Sequence, residues 1–86
     1  MGGHKMAKSV WDEKLISFAQ AIRFIRDRFA CPRISDATLG RWATLGISTP
    51  QGRLRLEAIR AGAAWRTSEE AIIRFFRART EMGAAA

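Results

Sequence analysis

Hydrophobic positions recur at three- and four-residue spacing in three places along this chain, and alternate in one. Phe18, Ile22, Ile25 and Phe29, with Ala21 beside them, make the first apolar face at helical spacing. Arg23, Arg26 and Asp27 fall off that face. Ser17 and Gln20 have capping-box spacing, hydroxyl and amide each satisfying a free backbone donor, so this helix is predicted to open at Ser17. Cys31-Pro32 ends it, because proline disfavours helical geometry in the residue before it. A second helix is predicted from Ser35 or Asp36, both good caps. Leu39, Trp42, Ala43 and Gly46 make its inward face, Ala37, Gly40, Arg41 and Thr44 its outward one, and Gly46 its end.

Residues 46–52, GISTPQG, are rich in turn formers and are predicted to be a loop. Residues 53–67 read as a β-hairpin with its tip near Ala61-Gly62-Ala63, where Gly62 can supply positive φ. The alternation there is out of phase: Leu54 and Leu56 agree, while Ile59 and Ala61 are one step off. Either a bulge or bend separates Leu56 from Ile59, or the strand begins only at Glu57. Thr67 and Glu70 form a second capping-box pair, predicting a third helix from Thr67 that fades by Gly83. Ala71, Ile72, Phe75 and Phe76 are its buried stripe, with Ile73 at the edge. Arg74, Arg77 and Arg79 are expected on a solvated face. Ahead of all this, Trp11, Leu15 and Ile16 form a short apolar lead-in able to act as a strap.

This order predicts one domain over residues 15–80, a partly disordered leader over 1–14 and a frayed tail over 81–86. The fold class expected is mainly α with a small β-hairpin, a winged helix-turn-helix of helix, turn, helix, wing, helix. The leader, MGGHKMAKS, lacks the apolar centre of a signal peptide, and Met6 is an alternative start. No apolar run approaches the length of a membrane span. Cys31 is the only cysteine, which excludes an intramolecular disulfide and a cysteine-rich zinc site.

Charge sharpens the picture. The net charge is +7, and residues 16–80 carry all of it, with twelve arginines, no lysine and five acids. Arginine binds phosphate bidentately and stacks on bases, so the bias points to nucleic acid. The bland alternative is a well-solvated surface.

Three segments carry a family resemblance: ISFAQA at 16–21, TLGRWATLG at 38–46 and AIRAGAAWRTSEEA at 58–71. With them, the chain from Leu15 to Phe76 resembles the excisionase-like, MerR-related winged helix-turn-helix families. RLEAIRAG and the following W-x-T-S-E also resemble a small bacterial group within that superfamily. The resemblance implies that the second helix enters the major groove and that the wing lies along the backbone or in the minor groove. Two departures stand out. The connection from Ala30 to Ile34 is longer than the usual tight turn. The segment from Gly46 to Gly52 is expanded and brings Arg53 and Arg55 within reach of DNA.

Arg41 is the foremost base-reading candidate, because arginine donates bidentately to guanine. Thr38 and Thr44 are candidates for phosphate or a thymine methyl. Ala37 and Gly40 are small enough to let the helix sit deep in a groove, or are neutral surface. Ser35 caps its helix and, with Arg33, can clamp a phosphate. Arg60 and Arg66 flank the wing tip and are the expected backbone or minor-groove contacts, followed by Arg53 and Arg55. Trp42 is expected in the core, Trp65 between hairpin and third helix, and Trp11 in a strap contact or on a partner surface.

No catalytic arrangement is present: His4 is the only histidine, and Asp36 and Glu57 make no acid–base pair. Neither a phosphate-cradling glycine loop nor metal-ligand spacing occurs, so no enzyme activity, metal or cofactor is expected. The expected partner is double-stranded DNA in the cytoplasm, at the nucleoid, with a second copy or a recombinase as further candidates and no membrane. The role expected is a small transcription regulator or a recombination directionality factor. The rivals are the DNA-recognition subunit of a phage packaging machine and a protein–protein adaptor that docks through Trp11 and the third helix.

Overall fold

The computed structural model describes residues 9–82. Residues 1–8, with His4 and Met6, and residues 83–86 of the expected tail lie outside the described residues. Three helices and a small set of antiparallel strands make up the domain: α1 (Phe18–Phe29), α2 (Asp36–Thr44) and α3 (Glu69–Glu81), with β1 (Ile16–Ser17), β2 (Ile47–Thr49), β3 (Gly52–Leu54), β4 (Ile59–Ala61) and β5 (Ala64–Thr67). A 3-10 turn, Val10–Asp12, precedes β1.

The local signals for α1 act as predicted. Ser17 Oγ accepts from the Gln20 N–H at 3.1 Å, and Gln20 Oε1 accepts from the Ser17 N–H at 2.9 Å. The helix stops slightly before Cys31-Pro32, with Ala30 in the left-handed region at φ 55°. Ala21 and Ile25 are fully buried, facing Leu39 of α2 and Ile72 and Phe75 of α3 in one core cluster. Burying side chains such as Ile25, Leu39 and Ile72 stabilises the fold by about 1.5–3 kcal/mol each. Trp42, expected in the core, packs against it while staying only partly buried, 4.9 Å from the Phe75 ring and 5.8 Å from Phe76.

Residues 46–67 depart from expectation. The predicted loop 46–52 is a hairpin of its own, with Ile47 opposite Leu54 and Thr49 opposite Gly52. The predicted single hairpin 53–67 is therefore two elements, which explains the broken alternation. Leu54 belongs to β3, and Leu56 sits buried in a linker where its N–H donates to the Trp42 carbonyl at 3.0 Å. Only at Ile59 does the second hairpin begin, with Ala61 opposite Ala64 across the Gly62-Ala63 tip. Gly62 has φ 67°, the positive value expected of it. β5 also pairs with β1, giving the order β1-β5-β4 in one sheet and β2-β3 in the other.

The third helix starts one residue later than predicted. Ser68, not Thr67, is its cap, accepting from the Ala71 N–H at 2.9 Å. Thr67 is the last residue of β5, and its hydroxyl instead donates to the Glu57 carbonyl at 2.8 Å. A hydroxyl committed to the strand linker is unavailable to the helix, so the Thr67–Glu70 box does not form.

The lead-in also differs. Val10 and Ile16 are buried, whereas Trp11 is 74% exposed. The segment is held by ions as much as by apolar contact. Arg74 of α3 meets both oxygens of Glu13 (2.6 and 3.0 Å) and both oxygens of Glu57 (2.8 and 3.1 Å). Ser68 Oγ donates to Glu13 at 2.6 Å, and the Val10 N–H donates to Glu57 at 3.1 Å. Hydrogen bonds that Arg74 donates to Glu13 first, then to Glu57, favour the charged guanidinium, so Arg74 holds its proton beyond the ordinary arginine range. Arg74 is thus a clasp tying residues 9–13 and the 55–58 linker to α3, not part of a solvated face.

Candidate nucleic-acid interface

α2 is positioned by its cap and by its core face. Ser35 Oγ accepts from the Thr38 N–H at 3.3 Å, and Leu39 anchors the helix in the core. That rotation leaves Ala37, Arg41 and Thr44 exposed and Gly40 partly so, the outward face read from the helical repeat. Among the described residues the Arg41 guanidinium has no hydrogen-bond or ion-pair partner, so its five donors face solvent. Gly40 is not required by the chain's own packing: a Cβ built there meets no atom within 4 Å, and its φ is ordinary for any residue.

The other predicted contacts divide by what already occupies them. The Thr44 hydroxyl donates to the Gly40 carbonyl at 2.8 Å, so its donor is already used although the residue is exposed. Thr38 is half-buried, its hydroxyl 3.2 Å from that of Ser35, and it borders an apolar groove with Ile34 and Trp42 instead of the outward face. Arg33 is exposed just ahead of Ser35. Asp36 supplies the negative charge that the N-terminus of α2 attracts, so a phosphate there would meet like charge.

The C-terminal end of α2 gathers more. Arg53 donates to the Leu45 carbonyl at 2.8 Å, satisfying a carbonyl that the helix end leaves free. Gly46, at φ 75°, lies so close to β3 and Arg55 that a Cβ would sit 2.8 Å from Arg55 Cγ and nearer still to the Leu54 carbonyl. The β2–β3 hairpin is therefore fastened against the end of α2, and it brings Arg53 and Arg55, both exposed, beside the helix that carries Arg41 and Thr44.

Arg60 and Arg66 are not brought together. Arg60 pairs with Trp65 across the β4–β5 hairpin, whereas Arg66 pairs with Ile59 and Ser17. Side chains alternate between the faces of a sheet, so the two arginines point to opposite sides. The Arg60 guanidinium lies over the Trp65 ring, 4.9 Å from its centroid. Arg66 is half-buried and donates to the Trp65 carbonyl at 3.3 Å. The expected pair of wing contacts is thus one arginine on each face. Trp65 itself stacks with Phe18 of α1 at 6.2 Å, not with a residue of α3.

Comparisons with protein-family models, curated proteins and solved structures gave no match.

The contribution that sequence patterning missed is the β2–β3 hairpin. Its signal is present in the alternation of Ile47, Ser48 and Thr49 ahead of Pro50-Gln51, a two-residue connection. Turn-forming composition masks it. Thr49 both accepts from the Gln51 N–H and donates to the Gly52 carbonyl, a local network that reads as loop chemistry until the strand pairing is seen. Among the described residues no helix is long and apolar enough to cross a membrane.

Proposed function

We propose that this protein binds double-stranded DNA sequence-specifically as a small winged helix-turn-helix domain, α2 entering the major groove with the β2–β3 hairpin beside it. The observation that carries the reading is the outward face of α2: an unpartnered Arg41 next to a Gly40 that the fold does not need. Glycine inside a helix costs about 1 kcal/mol relative to alanine. A helix surface that keeps this cost without internal cause suits close approach by another backbone, and a free guanidinium beside it suits guanine O6 and N7. Arg53 and Arg55 add positive charge next to that face, and the net charge of +7 supplies long-range attraction. The role this fits is a small transcription regulator or a recombination directionality factor.

α2 has nine residues, about 13 Å of helix, enough to face roughly four base pairs. One copy reads a short site, so repeated or inverted sites bound by several copies are part of the proposal.

The test is fluorescence anisotropy with random duplex and with duplex from the protein's genomic neighbourhood, across a salt series. The expected log–log slope implies roughly four to six neutralised phosphates, with one neighbourhood fragment retained at physiological salt. Arg41→Ala removes about 1–3 kcal/mol of preference for that fragment while changing random-duplex affinity little. Binding lost for every fragment at physiological salt, or an Arg41→Ala effect equal on all sequences, refutes the proposal.

A further inference from the structure

Phe76 of α3 separates two open apolar grooves on the helical side of the domain. One, of about 350 Å³, runs between the ends of α1 and α3 over Phe29 and Ile73. The other, of about 360 Å³, runs between α3 and the α1–α2 connection over Cys31, Ile34 and Trp42. Their floor is a continuous aromatic set: Phe29 stacks on Phe76 at 4.2 Å, and Phe76 meets Trp42 edge-on at 5.8 Å. These three rings are only partly buried, although they pack directly on the core.

The rims are basic. Arg28 and Arg77 border the first groove with Glu81, and Arg33 and Arg79 border the second. Arg28 and Arg79 lie over floor rings, 5.9 Å from the Phe29 centroid and 5.6 Å from the Trp42 centroid. None of the four has a hydrogen-bond or ion-pair partner among the described residues. We infer that this surface docks an acidic amphipathic helix of a partner protein, with apolar side chains on the Phe29–Phe76–Trp42 floor and carboxylates on the arginine rim.

Charge selects that occupant. Within this sequence, residues 1–8 and 83–86 contain no Asp or Glu, so neither segment can supply a row of side-chain carboxylates. A second copy brings another +7 to a positive surface. Duplex DNA matches the rim but not the floor, since its bases are already stacked on one another and its phosphate backbone gains nothing from covering an apolar groove. An amphipathic helix with an acidic face matches both, the helix-in-groove mode of recognition. The inference is independent of DNA reading by α2, because the variant that tests it lies outside the proposed DNA face.

The experiment uses the full chain and a fluorescein-labelled synthetic helix of about four turns, with Leu and Phe on one face and Glu on the other. A second peptide has Gln in place of every Glu. Expected are binding of the Glu peptide at least about ten-fold tighter than the Gln peptide, and amide and indole shifts confined to Phe29, Trp42, Ile73, Phe76 and their neighbours. The double variant Arg28→Glu, Arg77→Glu is exposed on both helices and keeps the native circular dichroism, with a melting temperature lowered by no more than about 8 °C through the reversed charge in the last turn of α1, yet it loses the Glu-peptide preference. Phe76→Ala loses binding of both peptides. Equal binding of the two peptides, an unchanged preference in the charge-reversed variant, or shifts away from the groove overturns the inference. Two further outcomes overturn it in favour of other occupants: groove shifts that appear on concentrating the protein alone point to a second copy, and an equal loss of duplex-DNA binding in the charge-reversed variant points to phosphate.

Discussion

Gly40→Ala separates a helix surface kept for a partner from one that is merely neutral, because it moves two measurements in opposite directions. The substitution adds one methyl at a helical position where a Cβ finds no atom within 4 Å, so the folded state gains no clash. Removing glycine from the helix interior is expected to stabilise the domain by about 0.5–1 kcal/mol. For a domain of this size, that is a rise of roughly 3–6 °C in melting temperature. The DNA complex is expected to respond the other way. If α2 lies against the groove with Gly40 at its closest approach, the methyl overpacks a filled interface at a cost of about 1–3 kcal/mol. The dissociation constant then rises roughly 5- to 150-fold. Thermal denaturation followed by circular dichroism and duplex anisotropy at one salt concentration make the pair of assays. A stabilised protein with unchanged DNA affinity would falsify close approach at Gly40 and reduce that face to ordinary surface. A lower melting temperature would show that the fold itself needs the glycine.

Gly46→Ala is expected to behave as the converse, because its positive φ and its contact with the Leu54 carbonyl leave no room for a methyl. Denaturant titration should show a loss of more than about 1 kcal/mol, with α2 and the β2–β3 hairpin loosened together. Arg74→Ala removes the cation shared by Glu13, whose side chain is only 2% exposed, and Glu57; a loss of about 3 kcal/mol is expected, with new protease sensitivity near residues 9–13. An effect near zero would mean that Arg74 acts as a surface charge. Ser68→Ala should destabilise by about 1–2 kcal/mol and fray the first turn of α3, while Thr67→Ser keeps its hydroxyl bond to Glu57, loses only a buried methyl at about 1 kcal/mol and leaves that turn intact. Equal fraying in both, read from hydrogen exchange at the start of α3, would contradict the assignment of the cap to Ser68.

What the sequence determined by itself is everything written in short-range chemistry. The Ser17–Gln20 box, the Ser35 cap, the two helical repeats that bury Ile25 and Leu39, and the positive φ of Gly62 all depend on residues within four positions of one another. The outward face of α2 follows from the same repeat, so helical spacing alone marks Arg41 and Gly40 as a candidate surface. The tertiary structure decided what depends on distant partners. The Thr67–Glu70 spacing favours Thr67 as the cap in the sequence, and only the Glu57 carbonyl, ten residues away, takes Thr67 out of contention and leaves the cap to Ser68. Arg74 sits among other helix arginines with nothing local to mark it, until the fold brings Glu13 and Glu57 to it across 61 and 17 positions. The division of 46–67 into two hairpins is hidden for two reasons: the β2–β3 signal is local but masked by turn-forming composition, and the start of the second hairpin at Ile59 rests on strand pairing. Strand pairing is settled by which chain lies alongside, and β5 resolves that question by pairing with β1, a segment on the far side of two helices. Arg60 and Arg66 follow from the register: six positions apart in sequence, they are separated by the sheet because its side chains alternate from face to face.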